Sequence, residues 1–296
     1  MTTTITPRVR KRSFRKWFGD TGWRHLVAIV VGIFALFPLL YVLSASLNPR
    51  GTLTGSNQLF SAVGIDSYVR ILTDPKNPYP MWFLNTLVIA IVTGVVTVFI
   101  GACAAYAFSR MRFTGRRVGL VTIVVVQMFP QLLAVVAIFL LMSTLGDWFP
   151  AIGLNTHTGL ILVYLGGALG VNTYLMYGFF NTIPKELDEA ARIDGAGHAR
   201  IFFTIILRLV APILAVVGLL SFIGTVNEYV VASVMLIDPE KQTLVVGLTK
   251  LVSNPRYADW SAFSAGAVMA AIPVMILFLF LQKYIVGGLT AGATKG

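Results

Sequence analysis

The stretch EAARIDGAG, residues 189–197, is charged, alanine-rich and punctuated by glycine. It lies in a chain of 296 residues that is 56% hydrophobic and only 12% charged. Long apolar runs flank it on both sides. The wider segment NTIPKELDEAARIDGAGHARIFFTIILRLVAPIL spans residues 181–214. Pro184 suits a first helical turn, where its missing N–H leaves no bond unmade. Glu186, Asp188 and Glu189 then sit favourably near the positive end of a helix dipole. Leu187, Ala190, Ala191 and Asp194 follow at i, i+3, i+4 and i+7, so they share one face. The alanines make that face flat enough for another backbone to approach. Gly195 and Gly197 break the helix and permit a turn. A second helix begins near His198 and runs on into the next apolar run. The segment reads as a helix–turn–helix knuckle between two membrane spans. Its bland alternative is a solvated connector, with Glu189 held by an i, i+3 pair to Arg192.

The surrounding chain reads as membrane protein. Mean hydropathy is +0.80. Apolar stretches of about 20 residues are long enough to cross a hydrocarbon core of roughly 30 Å. Six such runs occur near 26–47, 84–108, 118–143, 158–180, 209–227 and 262–285. The expected fold is all-α, a polytopic membrane protein with six transmembrane helices. A basic tail (1–25) precedes the span domain (26–285) and a short tail (286–296) follows it. The first 24 residues are basic and polar, and the first apolar run is too long for the core of a cleavable signal. The single cysteine, Cys103, excludes a disulfide framework within the chain.

The net charge of +11 is distributed unevenly. The N-terminal tail, the second and fourth connections and the C-terminal end together hold 17 Lys and Arg residues. The remaining connections hold six. The positive-inside rule therefore puts both termini and residues 189–197 in the cytoplasm. An even number of spans agrees. The basic tail also suits contact with anionic membrane lipid. A nucleic-acid role is disfavoured, because the cations are scattered over several membrane-surface loops.

The residues of the knuckle carry a family resemblance. Glu189, Ala190, Ala191, Gly195, Ile205 and Leu207 fit the spacing of the "EAA loop" of ABC-importer permeases, here spanning about 181–208. Arg208 stands where that family usually has proline, which predicts a weaker break before the fifth span. The segments CAAYAFSRMRFTGR (103–116), QMFP (127–130), IGLNTHTGLILVYLGG (152–167) and GGLTAGATKG (287–296) resemble the MalG-type maltose/maltodextrin permeases.

That resemblance implies a type I ABC-importer permease fold in the cell inner membrane. It implies a larger MalF-like permease, two copies of a MalK-like ATP-binding subunit and an external sugar-binding protein as partners. The knuckle would dock into the ATP-binding subunit through Glu189, Ala190, Ala191, Asp194 and Gly195. The C-terminal tail, with Thr290, Gly292 and Lys295, would reach between the ATP-binding subunits. The last external loop, with Asn254, Pro255, Arg256 and Tyr257, would contact the binding protein. Trehalose or another glucoside is an alternative substrate.

Residue chemistry limits what this chain does alone. The pattern G-x-x-x-x-G-K-[ST] is absent, and Gly is never followed by Lys, so no phosphate-cradling loop can be drawn. The chain is not expected to be an enzyme. It is expected to bind no cofactor itself, with ATP and Mg on partner subunits, and its three histidines lack metal-ligand spacing. Within the spans, Gln127 and Gln131 flank Pro130 four residues apart and so would share a face. With Asn172 and Thr173 they could line a polar path for a sugar, although such amides more often bond neighbouring helices. Pro130, Gly166, Gly167 and Gly170 mark points of flexure or close packing. The spans hold no carboxylate away from their ends, which argues against a proton-coupled carrier. A sodium-coupled carrier using carbonyls and hydroxyls remains the second reading.

Overall fold

The computed structural model describes residues 18–49 and 59–293 and is built, among those residues, from helices and turns alone. Helix α1 is Trp23–Ser46, α2 Asp66–Thr73, α3 Tyr79–Arg110, α4 Arg116–Gln127, α5 Gln131–Trp148 and α6 His157–Phe180. Helix α7 is Glu186–Ile193, α8 His198–Leu209, α9 Ala211–Asn227, α10 Val230–Met235, α11 Leu244–Val252 and α12 Trp260–Ala293. Among the described residues, three helices are long and apolar enough to cross a membrane unaided; the number rises to six if each of three bent helix pairs is one span.

Helix α3 is the hub and packs against both α6 and α9. Pro80 sits in its first turn, where a missing N–H is harmless. Its buried side includes Thr93, Gly94, Thr97, Gly101 and Ala105. Such small residues let helices approach closely where water supplies no driving force between them. A methyl group on Gly94 would stand 3.7 Å from the Gly218 carbonyl of α9. Helix α9 also contacts α12, and α12 contacts α1. Helix α1 presents mostly exposed apolar side chains, Phe34 and Leu39 among them.

Two of the three bends have a proline as their local cause. The third apolar run does not continue straight; α4 and α5 meet at 100°. Pro130 lacks the N–H that would continue the ladder, and its ring disfavours helical backbone at Phe129. Gln127 and Gln131 consequently lie on different helices and do not share a face. The fourth run bends by 49° between Gly167 and Gly170. The fifth is a sharper departure from expectation: α8 and α9 meet at 78°, with the break at Val210. Arg208 in place of proline does not weaken this break. Pro212, two residues into α9, cannot donate to the Arg208 carbonyl four residues back, so the ladder is interrupted regardless.

The segment after α9 is more structured than a long loop. Helix α10 contributes Val231, Ala232 and Met235 to a buried cluster with Leu160 and Tyr164 of α6 and Met142 of α5. Helix α11 contributes Leu244 and Leu248 to a second cluster with Ile71, Tyr79 and Trp82. Trp82 donates its indole N–H to the Pro239 carbonyl at 2.6 Å. Gly247 lies under that indole, where a β-carbon would come within 2.2 Å of the ring. Each helix has nine or fewer residues. Neither could span a membrane, which is why hydropathy alone leaves the segment as a loop.

Candidate functional site

The knuckle is built as two short helices around a left-handed glycine. Helix α7 starts at Glu186, so Pro184 lies just before it and not inside its first turn. At its other end Gly195 has φ +79°, a conformation that costs an L side chain. The Ala196 N–H returns to the Ala191 carbonyl at 2.9 Å and closes the helix in the manner of a Schellman cap. His198 then begins α8.

Helix α7 has two distinct sides. Glu186, Glu189, Ala190 and Ile193, at i, i+3, i+4 and i+7, are all exposed. Ile193 is 88% exposed, an apolar side chain presented to the outside at the end of the helix. Asp194 and Gly195 are exposed beside it. Ala191 is the correction to the expected face: it is buried in a cluster with Ile183, Ile201 and Phe202. The flat outward surface therefore rests on Ala190 alone among the alanines. Among the described residues Glu189 makes no ion pair, so the expected alternative of a pair with Arg192 does not form.

The buried side of α7 carries an ion pair that sequence reading overlooked. Arg110, the last residue of α3, places Nε 2.6 Å from Oδ2 of Asp188. The two side chains are 2% and 4% exposed. Arg110 also donates from Nη2 to the Ile183 carbonyl at 2.9 Å. One turn earlier on α3, Tyr106 packs its ring 5.0 Å from Phe202 of α8. Its hydroxyl lies 3.5 Å from Nδ1 of His198. The end of α3 thus grips both arms of the knuckle. Only Asp188's position on the helix face opposite Glu186 and Ala190 hinted at this.

At the opposite end of the bundle, residues 253–259 form an exposed turn. Asn254 accepts the Arg256 N–H on its side chain at 3.0 Å and the Tyr257 N–H on its carbonyl at 3.1 Å. Pro255 and Arg256 are exposed, and Tyr257 is 76% exposed. The base of the turn is tied down, because Asp259 pairs with Arg70 of α2 at 3.0 Å and caps α12 through the Ala262 N–H at 2.9 Å. Beside it lies a polar cavity of about 270 Å³, which Arg70, Asp74, Lys250 and Tyr257 help to line. The Lys76 N–H and Asn77 amide bond the Asp74 carboxyl and hold it below the usual carboxylate range.

Several polar side chains of the apolar runs bond within this chain. Gln127 donates to the Gly167 carbonyl at 2.6 Å. Gly170 makes room for it, since a β-carbon there would fall 2.0 Å from the amide nitrogen. Asn172 reaches Ser221 of α9 at 3.5 Å. Thr173 is buried, near Gly101 of α3. Gln131 begins α5. Glu228, at the end of α9, accepts from the Tyr164 hydroxyl at 2.6 Å and from two N–H groups of α10. A groove of about 620 Å³ between α3, α9 and α12 is walled by side chains such as Leu87, Val95, Phe99, Phe222, Ile276 and Phe280. It offers sugar hydroxyls no hydrogen-bonding side chain, and burying them unpaired is costly. Thr290 and Gly292 fall within α12, and Lys295 lies outside the described residues.

Comparison with known proteins adds to this geometry. Residues 97–290 match the family model for binding-protein-dependent transport system inner membrane components. The chain is 39% identical to the maltodextrin transport system permease protein MdxG of Bacillus subtilis, over 92% of this chain and 95% of that one. It is 40% identical to the galactooligosaccharides transport system permease protein GanQ of the same organism, over 92% and 94%. It is 39% identical to the maltose/maltodextrin transport system permease protein MalG of Escherichia coli, over 92% and 95%. Among solved structures, a chain of a bacterial ABC transporter that imports the acidic polysaccharide alginate superposes with a TM-score of 0.74 at 28% identity, covering 93% of this chain and 99% of that one.

Proposed function

The chain belongs to the family of binding-protein-dependent transport system inner membrane components, and on that premise we propose that it is one of two permease subunits of an ATP-driven sugar importer. It lines half of an alternating-access pathway together with a larger, MalF-like permease. Two MalK-like subunits bind ATP and Mg and hydrolyse the nucleotide. An external binding protein delivers the sugar. The sugar is maltose or a maltodextrin, supported by the likeness to MdxG and MalG. The comparable likeness to GanQ favours another oligosaccharide as the second reading. Family membership speaks for ATP over a sodium gradient as the energy source.

The single observation that carries the coupling role is the free face of α7. Glu189, Ala190 and Ile193 stand exposed on a helix whose other side is locked into its own bundle. Such a helix can be pushed by a docked partner without unfolding. Glu189 meets a basic residue in a cleft of the ATP-binding subunit. Ala190 allows close approach, Ile193 supplies apolar area, and Asp194 and Gly195 form the edge. At the other end Asn254, Pro255, Arg256 and Tyr257 touch the binding protein. The C-terminal Thr290, Gly292 and Lys295 extend between the two ATP-binding subunits.

Glu189→Lys tests the coupling role. It sets a cation against a basic partner, and like charges juxtaposed at an interface cost several kcal/mol. Because Glu189 is exposed and makes no ion pair among the described residues, insertion of the permease should be unchanged. Copurification of the ATP-binding subunit and uptake of labelled maltose should both collapse in membranes matched for permease. Full copurification together with full uptake would reduce α7 to a solvated connector.

A further inference from the structure

Helix α7 is joined to the bundle by more than the chain that leads into and out of it. Arg110 terminates α3, the helix that packs on both α6 and α9. Its guanidinium holds α7 through Asp188 and the preceding turn through the Ile183 carbonyl. Tyr106, one turn back, holds α8 through Phe202 and His198. Among the described residues, Nε and Nη1 of Arg110 and both carboxylate oxygens of Asp188 are buried and make no hydrogen bond, so the 2.6 Å contact is one of charge and each charge depends on the other. From these contacts we infer that the Arg110–Asp188 pair is a mechanical link that carries displacement of α7 directly into α3, making both residues positioning residues for energy coupling. This rests on the reading of α7 as the element that meets the ATP-binding subunit.

The physical case is one of stiffness. The turns on either side of α7 can bend: Gly195 and Gly197 follow it, and residues 181–185 before it are non-helical. Force passing only through them would be dissipated by rotation of α7. A short, dry ion pair does not allow that, since its low-dielectric surroundings offer neither charge an alternative partner. The hydrogen bond from Arg110 Nη2 to the Ile183 carbonyl is a second point of attachment beside the charge contact, a two-point hold that a lysine would not reproduce. Displacement of α7 therefore moves the end of α3, and α3 in turn moves its two neighbours.

The test uses the complete importer reconstituted in lipid vesicles with its binding protein, ATP and labelled maltose. Three variants are compared with the native chain: Asp188→Asn, Arg110→Lys, and the double change Arg110→Met with Asp188→Leu. The double change removes both buried charges together, so it survives if the singles do not accumulate. The readouts are ATP-binding subunit retained per permease and ATP hydrolysed per maltose delivered. Retention should stay within about twofold, because the outward face of α7 is untouched, while ATP used per maltose should rise about tenfold in Asp188→Asn and in the double variant. Arg110→Lys should fall between these and the native ratio. A native ratio in every variant that accumulates overturns the link, as does failure of the double variant to accumulate, which would make the pair a folding element. If the native complex retains no ATP-binding subunit, the underlying coupling reading fails instead. The two failures are thereby distinguished.

Discussion

Gly195 is the residue whose backbone does most to shape the knuckle. Its φ of +79° is one that L side chains reach only at a cost of roughly 1–2 kcal/mol, with asparagine the least affected. No atom lies within 4 Å of where its β-carbon would stand, so the cost is purely conformational. Gly195→Ala should therefore loosen the cap in which Ala196 N–H bonds the Ala191 carbonyl. Hydrogen exchange at the Ala196 amide should accelerate about tenfold, following that energy, and by less in Gly195→Asn. Equal exchange in all three chains would show that the left-handed turn is not what closes α7. This glycine was legible in the sequence because a turn demand is local. The orientation of Ala191 was not. Two alanines at i and i+1 are about 100° apart around a helix, and only the bundle beneath decides which one is covered.

At the scale of elements, the turn of residues 253–259 and α7 occupy opposite ends of the same bundle. Each is an exposed tip on an anchored base. The Asp259–Arg70 pair and the Asp259 cap hold the base of the turn. Changing Arg256 and Tyr257 together to alanine therefore leaves the fold and the assembled complex intact. If this tip meets the binding protein, loss of an arginine and an aromatic anchor should weaken their contact by about 2 kcal/mol or more. Titrating the binding protein against ATPase stimulation should show the half-maximal concentration rising at least about tenfold, with basal hydrolysis unchanged. An unshifted titration curve would make Tyr257 an interfacial anchor only. Helix α11, which leads into this tip, and α10 before it escaped sequence reading for a simple reason. Runs of nine or fewer residues show too little periodicity to separate a short buried helix from an apolar loop.

For the whole molecule, the asymmetry of charge makes a prediction about sidedness. Seventeen Lys and Arg residues fall in the segments expected on one side of the membrane and six in those expected on the other. Reporter fusions near residues 114 and 196 should be active on the cytoplasmic side, and those near 60, 150 and 250 outside. A fusion at 196 active only outside would invert the molecule and remove α7 from any contact with an ATP-binding subunit. The apolar groove between α3, α9 and α12 bears on the same scale. Its walls suit lipid or another helix and offer a sugar no hydrogen-bonding side chain.

The sequence by itself determined the helical class, the six apolar runs, the knuckle and its glycine turn. Each depends on composition within a window of a few turns, where hydrophobicity and backbone restriction act locally. Tertiary structure decided where the runs bend, because a window average cannot tell a straight span from two helices meeting at 100°. It decided that Pro212 breaks the chain at Val210 although Arg208 stands where a proline was expected. It also decided that Gln127 and Gln131 part company and that Asp188 faces inward to meet Arg110. That last contact joins residues far apart in the chain. Neither charge signals its partner until packing has excluded water around both, and only then does the low dielectric make their pairing obligatory.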